Sequence, residues 1–287
     1  MEPVDQQAGP ARRDATLAEI EALRADLDVK DEEAERLLLE WMGNADPEVR
    51  VAAVQAVWEY YFLPSVLDRA LALVRSDPDP RVAQAALVAL GRVIQEGIID
   101  DVEDTPIEAL SAELDIDPKV YWKVREFLLA AVQDEAIPVE VRRFALESIG
   151  YAGTRADVAA LLFEWYGMVE PSARRSAIFA MGLSGCSEYA RQIARHLEDE
   201  DPEMRLVAIR AAGLGRVHGT RDAVLDASRD KDPRVRLAAA EALGGFGGDE
   251  VLNRLEELQD DADEKVREAA GEAVETAWDV DEDKDAR

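Results

Sequence analysis

Asp232-Pro233-Arg234-Val235-Arg236-Leu237-Ala238-Ala239-Ala240-Glu241-Ala242-Leu243-Gly244 reads as one helix carrying its own start and stop signals. Asp232 is suited to cap the first turn, and Pro233 to the first helical position, where its missing N–H would have been an orphan donor. Gly244 is expected to end the helix by turning left-handed past the last turn. The stretch returns in degraded form at six other places. Phased on Arg236, the copies bring Arg50, Ala83, Arg142, Arg174, Arg205, Arg236 and Arg267 to equivalent positions, and the last five are spaced 32, 31, 31 and 31 residues apart. A period of that length holds one helix pair, the unit of a stacked helical repeat.

The phasing also shows which face is buried. Three residues after the phasing position stands alanine in every copy: Ala53, Ala86, Ala145, Ala177, Ala208, Ala239 and Ala270. Seven after it come Val57, Leu90, Ile149, Met181, Ala212, Leu243 and Val274, and one before it Val49, Val82, Val141, Ala173, Met204, Val235 and Val266. At about 100° per residue these positions share one side of a helix. An unvarying small residue there means that another helix backbone comes close, where a larger side chain would overpack. No single unit can cover that face, so neighbours must stack on it.

The pattern Asp-Pro-x-Val-Arg-x-x-Ala-x-x-Ala-Leu-Gly resembles HEAT repeats, especially the short bacterial and archaeal kind also found in phycobilisome-lyase-like proteins. It is sharpest in residues 200–245 and 46–57, recognisable at 79–91, 138–150 and 171–182, and weakest at 261–275; with the intervening first helices it covers roughly 31–278. The resemblance implies an all-α fold, a right-handed α-solenoid (α-α superhelix) of about seven HEAT-like helix pairs. It implies a binding surface more than a reaction, since one fold hosts many jobs. It also implies that Arg50, Arg142, Arg174, Arg205, Arg236 and Arg267 are structural, each bonding an aspartate of an adjacent repeat in a ladder. Exposed pairs of that kind contribute about 0–1 kcal/mol each.

The formal net charge is −29, from 62 acidic against 33 basic residues, and only six of the basic residues are lysine. That balance opposes wrapping of DNA or RNA, which needs a basic footprint, and it equally disfavours an anionic membrane surface. Acidity with little lysine fits either adaptation to a salt-rich cytoplasm, where self-repulsion is screened, or an ordinary acidic protein. The one cysteine, Cys186, excludes an intramolecular disulfide. No run of about 18 residues is uniformly apolar, and Met1-Glu2-Pro3-Val4-Asp5 does not open a signal peptide. A cytoplasmic protein is expected.

In chain order, residues 1–14 carry Pro3, Gly9-Pro10 and Arg12-Arg13 without apolar periodicity and are expected to form a disordered tail. The solenoid is expected over 15–278, opening with a helix that Thr16 can cap. Trp58 stands where most later copies place glycine, and Glu59-Tyr60-Tyr61-Phe62 follow it. Between Ala83 and Arg142 the period breaks, which points to an irregular insertion at about 98–117, with a short helix startable at Thr105-Pro106; a degenerate extra repeat is the alternative. Pro118 then opens the first helix of repeat three. Gly150, Gly182, Gly213 and Gly244 are expected to cap the second helices. Residues 279–287 form a charge run expected to be a solvated acidic tail.

Nothing in the sequence builds a catalytic centre. His196 and His218 have no His or Cys at ligand spacing, so no metal site is expected. Repeated His-Glu pairs, which the iron-binding HEAT hydroxylases would show, are absent. Cys186 lies in a small-residue helix–helix turn, Ser184-Gly185-Cys186-Ser187, and reads as a loop residue. Gly213-Leu214-Gly215 and Gly244-Gly245-Phe246-Gly247-Gly248 follow helices, so they are turn glycines and no phosphate cradle.

Two functions remain. One is a non-catalytic scaffold binding a protein or peptide on the concave face, without a cofactor. The other is a phycobilisome-lyase-like or chaperone-like accessory protein acting on a chromophore-bearing or modified partner; an aromatic pocket around Trp58, Tyr60, Tyr61, Tyr121 and Trp122 would favour it. For the scaffold, positions one and five after the phasing residue point away from the buried stripe. They are Val51, Gln84, Arg143, Arg175, Leu206, Leu237 and Glu268, and Gln55, Val88, Glu147, Phe179, Arg210, Glu241 and Glu272. Arg143, Arg175, Phe179, Leu206 and Arg210 form a basic and apolar strip that would suit a partner with an acidic segment.

Overall fold

Aspartate and proline start helices where the sequence puts them, at four second helices and at the helix that Pro118 opens. In the computed structural model, which describes residues 8–25, 30–104 and 116–285, the carboxylates of Asp46, Asp79, Asp117, Asp201 and Asp232 each accept the backbone N–H two residues on, at 2.8–3.0 Å. A proline follows each of them at the first helical position. The residue two before the cap adds an equivalent turn: Asn44, Asp77, Asp199, Asp230 and Asp261 accept the N–H of the capping aspartate.

The chain divides into two units, 1–149 and 150–287. In the first, α1 (Ala8–Ala25) packs on the opening pair, α2 (Asp31–Trp41) with α3 (Pro47–Gln55) and its short continuation α4 (Val57–Tyr60). The pairs α5 (Pro64–Ser76) with α6 (Pro80–Ile99) and α7 (Pro118–Gln133) with α8 (Val139–Ile149) follow. The second unit holds four pairs: α9 (Ala156–Tyr166) with α10 (Pro171–Leu183), α11 (Ala190–Leu197) with α12 (Pro202–Leu214), α13 (Arg221–Ala227) with α14 (Pro233–Leu243), and α15 (Asp249–Leu258) with α16 (Glu264–Asp285). Within each unit second helices stack on second helices, α3 on α6 on α8, and α10 on α12 on α14 on α16. The described residues contain no strand. All seven phased alanines are completely buried, as the small-residue column requires.

Several expectations need correcting. The first helix starts at Ala8, so residues 8–14 are helical. Pro10 is tolerated there because the first turn needs no N–H from it, and the Thr16 hydroxyl donates inside the helix to the Arg12 carbonyl at 3.0 Å instead of capping it. At the other end α16 continues to Asp285, since neither glycine nor proline stands between Trp278 and Asp285 to stop it. Residues 1–7, 286–287 and the Thr105-Pro106 helix start lie outside the described residues. Because α6 stacks directly on α8, and α7 pairs with α8, α7 is the first helix of the third pair, and among the described residues no extra pair intervenes. Helix α6 has the length and mean hydropathy of a membrane span. It is the core helix of the second pair, with eleven residues buried against its neighbours.

The expected cap glycines do not turn left-handed, although Gly244 does stand at the C-terminal cap of α14. Gly182 and Gly213 lie inside α10 and α12, and Gly244 has φ −55°, an ordinary right-handed value. Their reason is distance. A Cβ on Gly182 would lie 2.4 Å from the Ala211 Cα, and one on Gly213 2.7 Å from the Ala242 Cβ. Each glycine, eight after the phasing residue, therefore meets the small residue six after the phasing residue in the next pair. The left-handed turns fall later, at Gly185, Arg216, Gly247 and Gly248.

Three rungs of the expected arginine ladder are present, at Arg50, Arg205 and Arg236, and they are largely buried rather than exposed. Arg50 forks onto Asp77 at 2.7 and 2.8 Å, Arg205 reaches Asp230 at 2.8 Å, and Arg236 forks onto Asp261 at 2.8 Å through both contacts. Each also donates to carbonyls of its own inter-helix turn, as Arg174 and the terminal Arg267 do. The repeat turns are thus stapled to each other. Ala83 lacks a guanidinium, and six before the next phasing residue, where Asp77, Asp230 and Asp261 stand elsewhere, the third pair has Ala136.

Two of the ladder carboxylates, Asp77 and Asp261, titrate low. Arg236 hydrogen bonds hold Asp261 below the usual carboxylate range against the opposing effect of burial, and the Asp263 N–H helps. Burial pushes Asp77 up, but the Arg50 fork and the Asp79 N–H together outweigh it. The Arg81 side chain and N–H hold the adjacent cap Asp79 at about 2. A depressed native value stabilises the fold above the unfolded carboxylate value of about 3.9, and that contribution is lost as pH falls through the native value. Thermal midpoints are therefore expected to be level from neutral pH to about 5 and to fall steeply between about pH 4 and 2. A midpoint that holds to pH 2 would show that these carboxylates do not stabilise the fold.

Candidate protein-binding groove

Position five of the second helices is the outward position. Gln55, Val88, Arg210, Glu241 and Glu272 are exposed there, and Glu147 and Phe179 half-buried. Position one fares differently. Gln84 and Glu268 are exposed, Val51, Arg143, Arg175 and Leu237 are half-buried, and Leu206 is 7% exposed. At Leu206 the cause is that α12 stacks on both α10 and α14, which widens the buried arc beyond the single stripe and draws position one into the seam.

The expected strip is accordingly changed residue by residue. Leu206 belongs to the core and offers no outward contact. On α8, Arg143 lies 3.3 Å from Glu147 and 3.6 Å from Glu140, with its guanidinium 3.9 Å from the centre of the Phe144 ring. On α10, Arg175 lies 3.4 Å from Asp201. These two arginines are already engaged by local groups. Arg210 on α12 is exposed with no ion pair among the described residues, and Phe179 is half-exposed on α10.

A concavity on this face lies in the first unit, between the first two pairs. It has a volume of about 680 Å³ and is lined by Arg24 of α1, Val51 and Gln55 of α3, Trp58 of α4, and Arg81, Gln84, Ala85, Val88, Ala89 and Arg92 of α6. Four of these, Val51, Gln55, Gln84 and Val88, are the outward positions one and five of repeats one and two. Trp58 makes the groove. It occupies the column where later pairs carry glycine, and the residue it would close against, six after the phasing position in the next pair, is Ala89. An indole cannot enter the space that the glycines leave for a methyl group, so the zip between second helices stays open here. The helix also breaks at Ala56, and α4 restarts at Val57. Tyr60 anchors that restart by donating to the Leu23 carbonyl of α1 at 3.1 Å, while Trp58 stacks on Tyr61 with ring centres 5.6 Å apart.

The lining holds three arginines and no carboxylate, on a chain of net charge −29. Arg24 is paired with Glu59 at 3.1 Å, and Arg81 with Asp79 at 2.7 Å. Arg92 is exposed, lies 5.5 Å from the centre of the Trp58 ring, and meets no carboxylate among the described residues. Val88 is 56% exposed at the same surface.

The remaining candidates resolve into structure. Tyr121 is fully buried and donates to Glu103, which pairs with Arg125 at 2.6 Å, so this cluster fastens the turn after α6 to α7. Burial and the Glu103 carboxylate push the Tyr121 phenol up. Tyr121 and Trp122 thus belong to the third pair, away from the groove lining. His196 is 6% exposed, with Nδ1 2.9 Å from Asp199 and Nε2 3.3 Å from the Tyr166 hydroxyl. No cluster of His, Cys, Asp and Glu able to hold a metal ion occurs among the described residues.

Comparisons with known proteins agree with this architecture. A family model of HEAT repeats matches residues 13–91, 34–107 and 190–275. A search of curated protein sequences finds no match. Among solved structures, yeast importin-beta (Kap95p) is similar with a TM-score of 0.54 and 14% identity, over 91% of this chain and 38% of that one. Importin beta in an ammonium sulfate condition gives 0.52 and 14%, over 95% and 40%, and the Kap95:Nup1 complex 0.52 and 15%, over 84% and 35%. This chain spans well under half the length of those proteins, and at such identity the likeness concerns the fold alone. With the family model covering most of the sequence, and with the phased alanines, the arginine ladder and the stacked helix pairs in place, the chain belongs to the HEAT-repeat family.

Proposed function

We propose that this chain is a non-catalytic scaffold that binds a protein or peptide along the outward face of its second helices. The observation that carries this reading is the groove around Trp58, where the repeat departs from its own pattern at the cost of inter-helix packing. A position serving only the stack would keep glycine there, as the later pairs do. The fold supports the same reading, because HEAT and armadillo solenoids are typically interaction scaffolds, and Kap95p is described with RanGDP and with Nup1. Solenoid faces of this kind present extended surfaces that no single pair could supply.

The test places a photoreactive phenylalanine analogue at Val88, at Phe179 and, on an exposed first-helix position, at Glu250. Irradiation in native lysate at matched salt should give discrete protein adducts from Val88 or Phe179 and none from Glu250. Adducts from Glu250 alone would move binding to the first-helix face and overturn the assignment.

A further inference from the structure

The groove between the first two pairs has a composition that selects its occupant. Its floor is apolar, formed by Val51, Ala85, Val88, Ala89 and the Trp58 ring, and its cationic groups are Arg24, Arg81 and Arg92. We infer that it takes an acidic peptide segment of a partner protein with one large apolar side chain, the side chain seated against Trp58 and Val88 and a neighbouring carboxylate paired with Arg92. This rests on the scaffold reading above and adds to it a location and a partner chemistry.

Three observations point to this occupant. Charge complementarity comes first: no carboxylate lines the groove, although acidic residues outnumber basic ones by 62 to 33 along the chain. Second, Arg92 is presented for a carboxylate. Its guanidinium is held over the Trp58 ring at 5.5 Å, leaving the fork free for bidentate pairing. Arg81, 58% exposed and paired only with its own cap Asp79, can share its charge with a ligand at little cost. Third, Val88 is 56% exposed beside an indole, an apolar surface that no neighbouring helix covers. The volume of about 680 Å³ falls in the range of specific ligand clefts.

A nucleic acid strand fits less well. Its charge is spread along its whole length, whereas the cationic groups here occupy one groove on an acidic chain. A few carboxylates around one apolar anchor match the local arginines without extending beyond them.

The experiment uses the full chain and a fluorescein-labelled heptapeptide of one phenylalanine flanked by three aspartates on each side, followed by fluorescence anisotropy. Controls are the same peptide with alanine for phenylalanine, the same peptide with asparagine for every aspartate, and a labelled oligothymidine of equal charge. Saturable binding of the first peptide is expected, weakened at least tenfold by either peptide change, with the oligothymidine weaker still. Arg92→Glu and Trp58→Ala should each reduce affinity at least tenfold, and Arg92→Gln by less. Arg229→Glu, at an exposed turn after the first helix α13 in the other unit, should leave it unchanged. Arg92 is exposed, so its variants are expected to keep wild-type circular dichroism, and they remain decisive if Trp58→Ala unfolds. Absent binding, equal binding of the oligothymidine, or indifference to both Arg92 variants would overturn the inference. So would a wild-type dimer in sedimentation that Arg92→Glu dissolves, since the groove would then belong to a second copy. If the peptide fails while Val88 or Phe179 still gives adducts in lysate, the scaffold reading stands and only the partner chemistry falls. If the peptide binds and no adduct forms at either position, the groove stands and the wider face falls.

Discussion

Arg50→Ala is expected to destabilise the first unit by about 3 kcal/mol, at the lower end of what breaking one side of a buried ion pair costs. The size follows from what is left behind. The Asp77 side chain is 2% exposed and takes both arms of the Arg50 fork. Without the guanidinium it keeps only the Asp79 N–H, at 2.9 Å, to offset its desolvation. The carbonyls of Asn44 and Ala45 lose donors at 2.9 and 3.0 Å in the same step. Adding Asp77→Asn removes the stranded charge while its oxygen can still accept the Asp79 N–H. The double variant should therefore recover about 1–2 kcal/mol relative to Arg50→Ala alone. Urea midpoints of the first unfolding transition measure both. A double variant no more stable than the single one would show that lost packing, and not an unpaired carboxylate, sets the cost. Repeat two shows how the stack manages without this rung: Ala83 replaces the arginine, and Ala136 stands in the position of the matching aspartate.

What could be read from the sequence was whatever repeats. Asp-Pro at fixed phase implies a cap and a first turn, and alanine three after the phasing residue implies a close helix neighbour; the first is a local rule met in four copies and the second in all seven. Burial of the ladder was not legible, because arginine and aspartate look alike in an exposed pair and in a pair roofed by the next turn. The glycines were misread for a related reason. A glycine near the end of a helical stretch has two physical uses, a left-handed turn or room for a neighbour, and only the Ala180, Ala211, Ala242 and Ala273 column six after the phasing residue separates them. Reading those two columns together would also have located the groove, since Trp58 faces Ala89 where the others zip. Gln55, Gln84 and Val88 are exposed as their phase implies, and Val51 is half-buried. The choice of the middle repeats failed at Leu206, because a helical wheel shows one buried stripe while a stacked helix has neighbours on both sides.

The second large effect tests that account of the glycine column. Gly182→Ala adds a Cβ that would lie 2.4 Å from the Ala211 Cα and carbonyl oxygen and 2.5 Å from its Cβ. Backbone cannot rotate out of the way, so α10 and α12 must move apart, an overpacking cost of about 1–3 kcal/mol with the upper end applying. Against this stands a gain of about 0.5–1 kcal/mol from replacing glycine inside a helix. The net expectation is a loss of about 2 kcal/mol, read as a fall of roughly 4–8 °C in melting temperature. Gly271, inside α16, supplies the opposite case, for an added Cβ there meets nothing within 4 Å. Gly271→Ala should raise the melting temperature by roughly 1–4 °C through the helix term alone. The two substitutions are chemically identical, so their difference isolates the inter-helix contact from helix propensity. A stabilising Gly182→Ala would mean that the second helices are not held at backbone contact, and Trp58 would then no longer account for the opening between the first two pairs.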